Sequence, residues 1–316
     1  VFYSLLKAYS RLAIKIWCRR IRINKPEWLR EKGPLLLASN HPNSFLDGMI
    51  MSTLLEEAVY SLARGDAFKN KRADRFLRRL RLLPVFRTSE GPENLEQNYT
   101  TFASCLEVFR KNGIVLIFSE GRCENEWQLR ALKKGTARLA ISAWNSNIPL
   151  TVVPLGINYS SFKRFGKEVH IHFGRPFSKE IIDGDEVYGK QLNAFNSELY
   201  AQLPGLVYQF SLDDNIQRRA HFPPRHSSFA RILLLLPAAA GFLLHLPLYL
   251  PVKAFTHLRF VHSAHYDSIL VSLLLFLYPL YIAAFVIIAW TFLSAWALAA
   301  LVILPFTAWS FVQVRE

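Results

Sequence analysis

Cysteine is scarce: Cys18, Cys105 and Cys123 are the three in 316 residues, and none forms a Cys-x-x-Cys pair. That excludes a disulfide framework and fits a reducing compartment. No internal repeat is visible, which leaves out repeat architectures. Acidic residues are outnumbered, 24 against 38 Lys and Arg, for a net formal charge of +14. Charge of either sign is missing altogether from Ser268 to Val314, and from Ile232 to Val252. What is present in abundance is apolar: 51% of residues are hydrophobic and 14% aromatic. A chain so rich in core-forming residues is not intrinsically disordered, and its length fits about two domains. No nucleic-acid-binding signature accompanies the basic residues. A basic polar part joined to an apolar tail points instead to a membrane surface, with membrane phospholipids as partner and no nucleic acid.

Four regions follow from the patterning. Residues 1–28 open with an amphipathic helix over 1–20. Lys7, Arg11, Lys15 and Arg19 recur every four residues as one stripe, beside Phe2, Leu5, Leu6, Tyr9, Leu12, Ile16 and Trp17. Such a helix suits a bilayer interface. The basic residues run through the apolar stretch and no small-residue cleavage site follows, unlike a leader peptide. Residues 29–205 alternate short apolar strand runs (35–38, 59–63, 114–118, 150–157, 169–173) with helical patterns (72–83, 92–112, 130–147, and 179–203 with a break near Gly184), the rhythm of an α/β layered domain. Residues 206–228, with the Pro223-Pro224 pair, read as a linker. Residues 229–316 read as a membrane region of two or three helices, since about 20 apolar residues cross a bilayer. A turn is expected near Trp290 to Ala295 within the 47-residue charge-free stretch. The excess of basic residues before Arg231 places the large domain on the cytoplasmic side.

Four short blocks carry candidate chemistry. The first, Asn40-His41-Pro42-Asn43-Ser44-Phe45-Leu46-Asp47-Gly48, follows an apolar strand. A carboxylate this near can orient an imidazole whose other nitrogen takes a proton from a hydroxyl. The second, Leu83-Pro84-Val85-Phe86-Arg87, follows a basic helix, and an Arg fork there suits a phosphate. The third, Phe118-Ser119-Glu120-Gly121-Arg122, ends the strongest strand, where open α/β sheets place ligand contacts. Arg122 suits an anion, Glu120 a polyol hydroxyl, and Gly121 a tight turn. The fourth, Val152-Val153-Pro154-Leu155-Gly156, is a strand run cut by proline. His170 and His172 share a strand face with no third ligand near, so no metal site is expected. Cys123, beside the third block, and Ser44 are the alternative nucleophiles, although Ser44 lacks the glycines of a nucleophile elbow.

In this order the blocks resemble those of the phospholipid/glycerol acyltransferases, over roughly residues 30–205. The resemblance implies a layered α/β acyltransferase domain, here with an N-terminal amphipathic helix and a C-terminal transmembrane region. It implies His41 as general base with Asp47 as its partner, and Arg87, Glu120, Gly121 and Arg122 as substrate contacts. No cofactor is implied beyond an acyl-CoA or acyl-carrier-protein thioester as co-substrate. The acceptor would be a small phosphorylated alcohol: glycerol 3-phosphate, dihydroxyacetone phosphate or 1-acylglycerol 3-phosphate. Five residues separate His41 from Asp47 where the family usually has four, a spacing similar to that of fungal-type glycerol-3-phosphate/dihydroxyacetone-phosphate acyltransferases. Ser119 stands where the family has proline, and Arg122 follows Gly121 directly. The competing readings are a thioesterase or lipase-like hydrolase using Cys123 or Ser44, and a non-catalytic lipid-binding membrane protein.

Overall fold

The computed structural model describes residues 2–86, 97–182, 187–223 and 229–315. Its centre is a seven-stranded sheet in the order β1-β7-β6-β2-β5-β3-β4. The strands are β1 (Cys18–Ile23), β2 (Leu35–Ser39), β3 (Val59–Arg64), β4 (Leu82–Val85), β5 (Ile114–Phe118), β6 (Thr151–Tyr159) and β7 (Lys167–Phe173). β7 runs antiparallel to β6 and the remaining pairs are parallel. β2 and β5 are buried on both faces, which is why they read as unbroken apolar runs. Leu35 and Leu37 of β2, with Ile114 and Leu116 of β5, face one core; Leu36, Ala38, Val115 and Ile117 face the other.

The two cores are covered by different helices. On one face lie α1 (Phe2–Trp17) and α2 (Phe45–Leu54), together with apolar residues of the C-terminal helices. On the other lie α4 (Gln97–Arg110), α5 (Gly135–Asn145) and α6 (Tyr188–Leu206). Between β3 and β4 sits the short basic helix α3 (Lys71–Arg79), capped by Asn70, whose side chain accepts from the Arg72 N–H at 2.8 Å.

The helix boundaries differ from the sequence reading in instructive places. α1 ends at Trp17, and Cys18–Ile23 becomes an edge strand paired with β7. The pattern over 72–83 is not one helix: the chain leaves α3 after Arg79, passes Arg81 in the left-handed region (φ 61°), and enters β4. Leu82 and Leu83 therefore belong to the sheet, and the Arg81 guanidinium lies over the rings of Tyr3 and Tyr60 at 4.7 and 5.0 Å. The helix expected from residue 130 starts only at Gly135, because the Arg130 and Lys133 N–H groups bond to Glu120 and to the Ser119 carbonyl. Residues 207–223, read as linker, carry α7 (Asn215–His221) and bury Phe210 and Phe222.

Two cations of the α1 stripe reach back to α2. Lys7 Nζ donates to the Glu56 and Glu57 carbonyls, and Arg11 Nε to the Thr53 carbonyl, so both cations serve the C-terminal end of α2 and the turn after it. Burial pushes the Lys7 ammonium down to about 8. Phe2, Leu5 and Leu12 are the large apolar side chains that α1 exposes, and Lys15 is exposed with them.

The tail comprises α8 (Phe229–Leu233), α9 (Leu235–Phe260), α10 (Tyr266–Leu293) and α11 (Ala300–Val314). α10 and α11 are separated at Ser294 (φ 48°), followed by a 3-10 segment over Ser294–Ala299. Two helical stretches, Leu235–Phe260 and Tyr266–Val314, are long and apolar enough to cross a membrane. Leu236, Phe292 and Trp296 are each more than four-fifths exposed. α9 continues through Pro247 and Pro251.

Candidate active site

His41 lies two residues past the end of β2, on the loop that leads into α2. Asn40 takes over the ladder there: its side-chain oxygen accepts from the Ile157 N–H at 2.8 Å and its amide donates to the Ile157 carbonyl at 3.0 Å. His41 is held by its backbone on both sides. Its N–H donates to Glu120 Oε2 at 2.8 Å, and its carbonyl accepts from the Glu124 N–H at 3.2 Å. The imidazole stacks on Phe118, with centroids 3.7 Å apart and planes 11° from parallel.

Asp47, in the first turn of α2, is fully buried. Its Oδ2 accepts from His41 Nδ1–H at 2.9 Å and from the Asn43 N–H at 2.8 Å; its Oδ1 accepts from the Tyr159 hydroxyl at 2.7 Å. Three donors on one carboxylate satisfy an acceptor-only group. Burial, and next the Asp47 charge, push the Tyr159 phenol well above its ordinary range, which keeps it a donor. With Nδ1 committed, Nε2 is the ring nitrogen left to exchange a proton with a ligand.

Tyr159 carried no local signal in the sequence; it reaches Asp47 because β6 runs two residues past its pairing with Asn40. Replacing Tyr159 by phenylalanine keeps the ring and removes one donor from a buried carboxylate. Such a charge-assisted hydrogen bond contributes about 1.5–3 kcal/mol. The expected result is a lower thermal unfolding midpoint for Y159F; an unchanged midpoint would show that Asp47 does not need the phenol.

Glu120 sits beneath the site. Its two oxygens are taken by the backbone N–H groups of His41 and Arg130 (2.8 and 2.9 Å). Burial pushes its carboxyl up, and those two hydrogen bonds pull it back. Gly121 adopts the left-handed turn (φ 72°) that directs the chain away from β5. Arg122 is exposed, its Nε 3.5 Å from Glu124 Oε1. Arg87 lies outside the described residues. The structure thus brings His41, Asp47 and Glu120 together and leaves Arg122 at the rim.

A hollow of about 250 Å³ opens beside His41, lined by Phe45, Met49, Phe118, Cys123 and Leu275 among others. Arg64, at the end of β3, also lines it and pairs with Asp66. Met49 and Leu275 also border a second, larger cavity of about 780 Å³ between α1 and the C-terminal helices. Cys123 is buried; its Sγ accepts from the Ser44 N–H at 2.9 Å, and burial pushes the thiol up. His170 and His172 are occupied elsewhere, with the Tyr208 hydroxyl and the Leu206 carbonyl.

A His–Asp pair at the carboxyl end of a parallel strand, opening on an apolar hollow, is an arrangement capable of acid–base chemistry. Residues 20–158 match the sequence family described as Acyltransferase. Among solved structures, the chain is similar to the 1-acyl-sn-glycerophosphate (LPA) acyltransferase PlsC from Thermotoga maritima. Identity is 11% and the TM-score 0.41, over 62% of this chain and 77% of that one. No curated protein matches the chain.

Proposed function

We propose that this protein is a membrane-bound O-acyltransferase of glycerophospholipid synthesis. It moves a fatty acyl group from a thioester donor to a hydroxyl of glycerol 3-phosphate, dihydroxyacetone phosphate or 1-acylglycerol 3-phosphate. The observation that carries the reading is the buried Asp47 carboxylate, which holds Nδ1 of His41 while the ring lines an apolar hollow. His41 Nε2 takes the proton of the acceptor hydroxyl as its oxygen attacks the thioester carbon. The C–S bond breaks, and the departing thiolate takes that proton back from the imidazolium. The reaction uses acyl-CoA or acyl-carrier protein as co-substrate and no further cofactor. The acyl chain occupies the hollow bounded by Met49, Phe118 and Leu275. The acceptor phosphate meets the guanidinium groups of Arg64, at the end of β3, and Arg122, past the end of β5, joined by Arg87, which the family resemblance adds; Glu120 and Gly121 shape that rim.

The two long apolar stretches anchor the protein in the bilayer, with the α/β domain on the cytoplasmic face. The hydrolase reading has less support. Cys123 is buried with its thiol raised, which disfavours the thiolate a nucleophile needs. Ser44 Oγ shares its hydrogen bond with His265 Nδ1, at 2.7 Å, rather than with His41.

The deciding experiment gives membranes containing the protein a labelled acyl donor with each of the three acceptors in turn, and separates products by lipid class. Acyl transfer to one acceptor is expected. Free fatty acid released without any acceptor, and lost in S44A or C123S, would overturn the reading in favour of a hydrolase.

A further inference from the structure

We infer that the junction between α9 and α10, with the first turn of α10, more than 220 residues away in sequence, is a positioning part of the active site. Its residues His265, Asp267 and Ser268 hold the His41–Asp47 loop in working shape. The inference rests on the acyl-transfer reading above and adds residues outside the matched stretch 20–158.

The loop needs holding. Ser44 has φ 51°, a conformation L-residues rarely adopt. Asn43, beside it, supplies the backbone N–H that fixes Asp47 Oδ2. A small rotation of Asn43 therefore moves the carboxylate that orients His41.

The junction meets this loop with polar atoms. Ser268 Oγ donates to the Asn43 carbonyl at 2.8 Å and accepts from the Leu46 N–H at 3.1 Å, so one hydroxyl ties the strained turn to the start of α2. Asn43 Nδ2 donates to Asp267 Oδ2 at 2.8 Å. Asp267 is in turn paired with Lys167 of β7. His265 Nδ1 shares its hydrogen bond with Ser44 Oγ. Asn43, Asp267 and Ser268 are all buried.

Closing the hollow would need only apolar contact, which Leu275 already supplies. The polar side chains at the head of α10 are instead spent on Asn43, Ser44 and Leu46. Asp267 and Ser268 stand at the very start of a helix that is charge-free from its third residue on. The apolar tail is thus an anchor whose first turn is also a clamp on the catalytic loop, and α10 cannot shift without shifting Asn43.

The test uses the full-length protein in detergent or vesicles, acyl-CoA, and the acceptor that the product assay identifies. Ser268→Ala removes both hydroxyl bonds without adding bulk. The expected result is kcat lower by about ten- to thirty-fold, in line with the cost of small misplacements near reacting groups. KM for donor and acceptor should stay within about twofold, and the thermal unfolding midpoint should move little. An S268A enzyme with parental kcat, or a loss confined to KM, overturns the inference. If S268A does not fold, His265→Ala decides on the more accessible side of the loop: kcat lower by about three- to tenfold at unchanged KM supports the clamp, and parental kcat overturns it. His41→Ala is run alongside. A parental S268A beside an inactive H41A rejects only the clamp, whereas a fully active H41A rejects His41 as the base on which the acyl-transfer mechanism rests.

Discussion

Alanine at position 41 is expected to lower kcat by about 10²–10⁴-fold, the usual contribution of a positioned acid–base group, while the fold persists. The imidazole lies at the mouth of the hollow, stacked on Phe118, and its backbone bonds to Glu120 and Glu124 do not need the ring. Asp47→Asn is the more informative partner experiment. The amide oxygen can take the place of Oδ2, facing His41 Nδ1–H and the Asn43 N–H, and the NH₂ then faces Tyr159, whose hydroxyl can rotate to accept. The shape of the site is kept. What disappears is the negative charge that stabilises the imidazolium formed as the acceptor hydroxyl is deprotonated. D47N should therefore fold and bind donor normally yet turn over slowly, with the loss in kcat rather than in KM. Steady-state kinetics beside thermal unfolding separate the outcomes, and parental turnover in H41A would leave the base unassigned.

The parts of this site that were legible in the sequence are those carried by short-range patterns. β2 and β5 are apolar runs between turn signals, and each delivers a block of polar residues at its carboxyl end. The approach of His41 to Asp47 follows from a strand end running into a helix start. Long-range neighbours were not legible. Nothing around Tyr159, Asp267 or Ser268 marks them as partners of a loop more than 100 residues earlier. Periodicity places Lys7 and Arg11 on one stripe of α1, but it does not say whether that stripe meets headgroups or the end of α2. β1 was hidden because Cys18-Arg-Arg-Ile-Arg-Ile continues the basic and apolar mixture of α1. β4 was hidden because Leu80, Leu82 and Leu83 extend the apolar spacing of α3. In both cases pairing with a neighbouring strand overrides the local pattern.

Lys167→Met is expected to have the largest effect on stability. The Lys167 ammonium and the Asp267 carboxylate are both completely shielded from solvent. Trp17 and Tyr159 place their rings 5.5 and 5.8 Å from the ammonium. Removing the cation leaves a carboxylate shielded from water with the Asn43 amide still donating to it, and breaking a buried pair on one side costs about 3–5 kcal/mol. For a folded unit of this size each kcal/mol moves the midpoint by about 2–4 °C, so K167M should unfold roughly ten degrees below the parent. Adding Asp267→Asn to K167M removes the stranded charge while leaving an acceptor for Asn43. The double variant should regain much of the lost stability, and that non-additivity is the signature of a direct pair. A K167M protein with the parental midpoint would show that the pair contributes nothing. Recovery has a kinetic side as well. If Asp267 serves only packing, the double variant should regain stability and turnover together. If it holds Asn43 for the sake of His41, turnover should return only as far as an asparagine at 267 restores the bond to Asn43.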